Sequence, residues 1–130
     1  MLKVDGISRS YGDLKVVDKL SFTVNEGEFV ALLGPSGCGK STSLKMIAGL
    51  EVPDEGSIEL DGRDITHLSP GERKLAMVFQ SYALFPHLKV EENILFGLQA
   101  RKVPKDEQKR RLDSVVELVG LGDHLQKKPG

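Results

Sequence analysis

The stretch LLGPSGCGKST, residues 32–42, constrains this chain more than any other. It follows the apolar run FVALL (29–33), which does not alternate and so predicts a strand covered on both faces, as parallel strands of α/β proteins are. It leads into Leu44, Ile47 and Ala48, which recur at helical spacing up to a stop at Gly49. Residues 34–41 fit G-x-x-x-x-G-K-[ST], with Gly34, Gly39, Lys40 and Ser41 in the fixed places. Without a Cβ at Gly37 and Gly39, successive backbone N–H groups can converge on phosphate oxygens. The helix opening at Lys40 adds about half a positive charge at its N-terminus. Lys40 would give a mobile full charge to the β and γ phosphates, and the Ser41 hydroxyl one ligand to Mg²⁺. The pattern points to a nucleoside triphosphate held by Gly34, Pro35, Ser36, Gly37, Cys38, Gly39, Lys40, Ser41 and Thr42. The bland alternative is a glycine-rich strand-to-helix turn with an exposed lysine. Cys38 has two readings: a reactive thiol favoured as thiolate by Lys40 and the helix end, or a small residue that fits the loop.

The flanks supply the rest of an α/β pattern. LSFTV (20–24) alternates as a strand with one wet face does, and SIELDGRDI reads as a hairpin about Asp61-Gly62. LAMVF (75–79) predicts a second buried strand, ending at Gln80. A connector rich in aromatic and apolar residues follows and enters a short helix near Glu91. Pro104 is placed at the first position of a last helix. Its face is Leu112, Val115, Val116 and Val119, and Gly120 ends it. The closing LGDHLQKKPG reads as a loop. We expect one domain over 1–130: an α/β core over 1–88 and an incomplete helical subdomain over 89–130.

With 18 basic and 19 acidic side chains the formal charge is −1, which offers no global field for nucleic acid or anionic lipid. The single cysteine excludes an internal disulfide, and no leader follows Met1, so a reducing cytosolic setting is expected. No apolar stretch reaches the ~20 residues that span a bilayer, leaving peripheral contact as the expected mode. His67, His87 and His124 lie too far apart for a local metal motif and read as solvated loop residues, and KDEQKRR as the wet face of a helix.

Beyond the phosphate loop, the segment from SRSYGDLKVVDKLSFTV to DGRDIT, followed by RKLAMVFQSYALFPHLKVEENILFGL, resembles the ATP-binding subunit of an ABC transporter, most of all importers of sugars and related solutes. The resemblance covers nearly all 130 residues. It implies a P-loop NTPase (RecA-like) core with an antiparallel β part at the N-terminus, the start of a helical subdomain, and ATP with Mg²⁺ as ligands. It also implies that Tyr11 stacks on adenine with Val16 as a weaker neighbour. Gln80 would be the glutamine that reaches Mg²⁺ or the attacking water, and Tyr82 to Leu88 would meet the membrane-spanning subunits. For Leu84 and Phe85 the residues themselves leave a second option, cover for the protein's own core. The family works as a dimer of such domains on the inner face of the membrane.

Phosphoryl transfer also needs a Mg²⁺-holding carboxylate at the end of a second apolar strand and a group that orients water, and neither is found in the 130 residues. Asp61 is claimed by the hairpin turn. We expect a truncated first half of such an ATPase, with Lys40 and Gln80 as its share of the catalytic set, binding nucleotide weakly without turnover. An uncovered apolar sheet edge beside FVALL should favour self-association or strand exchange. Other readings are a soluble ABC protein of DNA repair or translation, which would want basic stripes or inserted domains, an unrelated phosphate-loop kinase or GTPase, and a nucleotide-binding module alone.

Overall fold

Strand β1 (Leu2–Tyr11) turns at Gly12-Asp13 into β2 (Leu14–Val24), and the two pair antiparallel from Leu2↔Val24 to Tyr11↔Leu14 with three register irregularities on the way. On the other side of β1 lies β3 (Glu55–Leu60), paired from Leu2↔Leu60, and a two-residue β4 (Arg63–Asp64) completes a sheet ordered β2-β1-β3-β4. These strands come from a computed structural model that describes residues 1–130 as two units, Met1–Met77 and Val78–Gly130. At the predicted hairpin, Asp61 and Gly62 have φ of 50° and 78°. Two positive φ values in a two-residue loop match the right-handed twist of the strands they join.

Helix α1 (Lys40–Ala48) starts at Gly39 and stops at Gly49, whose φ is 81°. It buries Met46 against Val4, Ile7, Val17, Ile58 and Ile65, the core of the first unit. A one-turn helix α2 (Pro70–Arg73) begins where Glu72 accepts hydrogen bonds from the Ser69 amide (3.0 Å) and hydroxyl (2.5 Å). The signal S-x-x-E was present in SPGE. Arg73 at its end is buried among carbonyls: Nη1 donates to Met46 O (2.7 Å) and Ile47 O (2.9 Å), Nε to Leu68 O (2.8 Å) and Nη2 to Thr66 O (2.8 Å). Its guanidinium ties the last carbonyls of α1 to the chain at 66–68, and Gly49 leaves the room, since a Cβ there would lie 2.5 Å from Arg73 Nε.

The second unit holds α3 (Val90–Ala100) and α4 (Lys105–Val119). Pro104 is the residue before α4, one place earlier than expected, and Gly120 ends the helix with φ 67°. Leu112 and Val116 are buried while Val119 is half exposed, so the predicted apolar face is only partly covered. The closing segment is not a free loop. After a 3-10 turn at Gly122–His124 it returns to α3, where Leu125 O and Lys127 O accept the amides of Glu91 and Val90 at 3.1 and 2.9 Å. These carbonyls satisfy first-turn donors that a helix cannot pair internally.

Two expectations are corrected. Residues 29–33 and 75–79 form no ladder, and Phe29, Leu33 and Val78 are 92, 91 and 91 % exposed. An apolar run marks a segment that needs covering, but a strand also needs neighbours for its backbone groups, and neither run has one in this chain. No helix is long and apolar enough to cross a membrane.

Candidate functional site

The phosphate loop is built from its helix end. Gly39 is buried with φ 88°, and a Cβ there would stand 2.5 Å from the Val16 carbonyl oxygen and 2.9 Å from Val17 Cγ2. Only glycine permits β2 to press so closely on the loop. The buried Ser43 then locks the first turn, its amide and hydroxyl both donating to Gly39 O at 2.8 and 2.9 Å. Upstream, the Cys38 amide donates to Pro35 O (3.4 Å), and a Cβ on Gly34 would meet Cys38 Sγ at 2.6 Å. Lys40 folds back over this turn. Its ammonium donates to Gly34 O (2.7 Å) and Pro35 O (2.6 Å), with Cys38 Sγ at 3.4 Å. A depression of about 190 Å³ lies beside the loop, lined by Leu20, Ala31, Leu32, Leu33, Cys38, Lys40 and Ser43.

The start of α1 is electrostatically unlike the other helix starts. It has no capping side chain and no acid in its first turn, whereas α2 carries Glu72, α3 Glu91 and Glu92, and α4 Asp106 and Glu107. The first amides of a helix lack internal acceptors and carry its positive pole, and in α1 nothing from the chain neutralises them. The loop thus fits a polyphosphate: open amides, a movable ammonium, and glycines where side chains would collide. Ser41 is exposed and Thr42 half-buried on the first turn. The Ser41 hydroxyl is a hard oxygen suited to Mg²⁺ beside phosphate oxygens, and the metal would neutralise charge on the phosphates.

Val16 therefore belongs to the loop's wall through its backbone. Tyr11, 46 % exposed, ends β1 with its hydroxyl donating to Glu51 and the Arg9 guanidinium carbon 5.2 Å from its ring centroid. Sequence reasoning missed Arg9 and Glu51, although Arg9 and Tyr11 are two apart on one strand and so share a face. Ser36, Gly37 and Cys38 are exposed. Gln80 lies in the second unit, exposed in a turn. Tyr82 and Ala83 follow with φ of 63° and 48°, left-handed backbone that costs a non-glycine residue roughly 1 kcal/mol or more. Asn93 of α3 holds the next stretch: its Oδ1 accepts the Phe85 amide (2.8 Å) and its Nδ2 donates to Phe85 O (3.1 Å), Leu88 O (3.2 Å) and Lys89 O (3.0 Å). Tyr82 is 78 % exposed and Leu84 54 %, while Phe85 packs its ring 4.5 Å from that of Phe96. Leu84 is thus a surface residue and Phe85 a partly packed one.

A G-x-x-x-x-G-K-S loop running into an uncapped helix start, with its lysine folded over the loop, is the arrangement of the P-loop nucleotide-binding class. The family profile described as "ABC transporter" matches residues 17–130, and the chain belongs to that family. It is 46 % identical over 129 residues to the spermidine/putrescine import ATP-binding protein PotA of Pasteurella multocida, covering 99 % of this chain and 35 % of that protein. It is 44 % identical over 123 residues to the sn-glycerol-3-phosphate import ATP-binding protein UgpC 1 of Rhizobium etli, covering 95 % and 35 %. Among solved structures, it matches the dimeric ATP-binding cassette MJ0796 in a post-hydrolysis state bound to ADP and Pi, with TM-score 0.85 and 29 % identity over 99 % of this chain and 62 % of that one. The chain thus spans about a third of the length of the curated relatives it matches.

Proposed function

We propose that the chain is the nucleotide-gripping part of an ATP-binding subunit that powers solute import. The observation that carries this is the uncapped, acid-free start of α1 beneath a glycine loop on which Lys40 is folded. In this reading residues 34–42 would hold the phosphates of ATP with its base on Tyr11 and Val16, and the Ser41 hydroxyl and Gln80 would offer oxygens to Mg²⁺, which would neutralise phosphate charge. Tyr82 to Leu88 meets membrane-spanning subunits on the cytoplasmic side, and complete cassettes pair face to face, as the dimeric neighbour supports. The named relatives import a polyamine and a glycerol phosphate. These names support an import ATPase and do not single out the carbohydrate class expected from the resemblance. Within the domain we keep the division into a core over 1–88 and a helical part over 89–130.

Hydrolysis calls for a strand-end carboxylate that the 130 residues do not contain, so this chain should bind without turning over. Titration calorimetry with Mg·ATP is the test. The expected result is a binding isotherm that Lys40→Ala weakens by about tenfold or more, together with no steady-state phosphate release. An isotherm indifferent to Lys40→Ala would overturn the phosphate-loop reading, and steady-state phosphate release the binding-only one.

A further inference from the structure

Four side chains at the end of β1 form a cluster that the phosphate loop does not account for. Arg9 places its guanidinium carbon 5.2 Å from the Tyr11 ring centroid, and its Nη1 donates to Asp54 Oδ1 at 2.6 Å. Asp54 is itself fixed, because its Oδ2 accepts the Ser10 amide (2.7 Å) and its own amide donates to Ser8 O (2.8 Å). The Ser10 amide first, and then Arg9, hold the Asp54 carboxyl below the usual carboxylate range, so the anchor stays charged through neutral pH. Glu51 closes the group: its Oε2 accepts the Tyr11 hydroxyl and lies 3.3 Å from Arg9 Nε, an ion contact too poorly aligned to be a hydrogen bond.

A tyrosine near a strand end would ordinarily be free to change rotamer, and a base stacking on it would have to stop that motion. Here a cation lies over the ring, the hydroxyl is tied down, and Tyr11 is still nearly half exposed. A ring so held keeps one orientation, and cation–π attraction from Arg9 leaves the face away from it as the one a base could use.

We propose that Arg9 and Glu51 are positioning residues that hold Tyr11 as a one-sided platform for the purine, so that they govern affinity for the base and not for the phosphates. This rests on the nucleotide reading above. The test compares Mg·ATP with inorganic tripolyphosphate, which lacks a base, on the 130-residue chain. Arg9→Met should weaken ATP by about threefold to tenfold and leave tripolyphosphate within about twofold, Arg9→Lys should recover most of the loss, and after Tyr11→Ala the Arg9→Met change should add nothing. Glu51→Gln gives a second, milder perturbation in the same direction should Arg9→Met fold poorly. Equal losses for both ligands, or an Arg9 effect that persists without the Tyr11 ring, would overturn the proposal. If tripolyphosphate binds and Lys40→Ala abolishes it while Arg9 and Glu51 changes spare ATP, this inference falls and the phosphate-loop reading stands. If neither ligand binds the wild-type chain, both fall.

Discussion

Arg73 is 1 % exposed and is surrounded by carbonyl oxygens from 66–68 and the end of α1, with no carboxylate hydrogen-bonded to it. Burial pulls its proton affinity down and Asp64 opposes this, but an arginine stays charged in either case. Four oriented carbonyls and the negative pole of α1 are what compensate the lost water. Arg73→Met is expected to lower unfolding stability by about 3 kcal/mol, because buried carbonyls lose their donors while the volume is nearly kept. Arg73→Lys should rescue little, since one ammonium cannot span a fork of four acceptors, and urea unfolding followed by circular dichroism checks both. Nothing in PGERK separates this side chain from a solvated arginine. Gly39 was legible at once, because its place in the motif already demands a missing Cβ, whereas the use of Arg73 depends on where α1 happens to end.

Among the elements, α4 carries a local charge cluster in which Glu107 accepts from Arg110 Nη2 (2.7 Å) and from Arg111 Nε (2.6 Å). Arg110 first, and then Arg111, lower the Glu107 carboxyl from 4.5 to about 2. A depressed folded value means that the stabilisation is fully present above about pH 4.5 and is lost as pH falls toward 2. The difference in thermal midpoint between the wild type and Glu107→Gln should therefore shrink over that window, and shrink at any pH in high salt, because both arginines are exposed and Glu107 is partly so. Elements with local causes were readable in the sequence: the Asp61-Gly62 turn, the Gly49 and Gly120 stops, and the face of Leu112 and Val116. Elements with remote causes were not. FVALL and LAMVF announce a need for cover without naming a partner, and LGDHLQKKPG gives no hint that two of its carbonyls return to α3. Strand β1 was expected only through the family resemblance, as part of an N-terminal antiparallel region, and not from its own pattern, whose alternation the register irregularities break.

For the whole molecule, Phe29 and Leu33 in the first unit and Val78 in the second present uncharged apolar side chains on backbone without a ladder. Segments of this kind pair with one another when chains meet, and lysine at such an edge is the usual deterrent. The average mass in sedimentation equilibrium is expected to rise with concentration, and Phe29→Lys to suppress the rise. A strictly monomeric wild type whose amides at 29–33 resist hydrogen exchange would contradict this. The proposed cradle for phosphate has one jaw clamped, by Ser43, Val16 and the Arg73 anchor of α1, and one jaw, the stretch 29–33, that no ladder grips. Whatever lays a strand along that loose jaw steadies the grip on the ligand, and by thermodynamic reciprocity a ligand already in the grip makes the strand easier to lay.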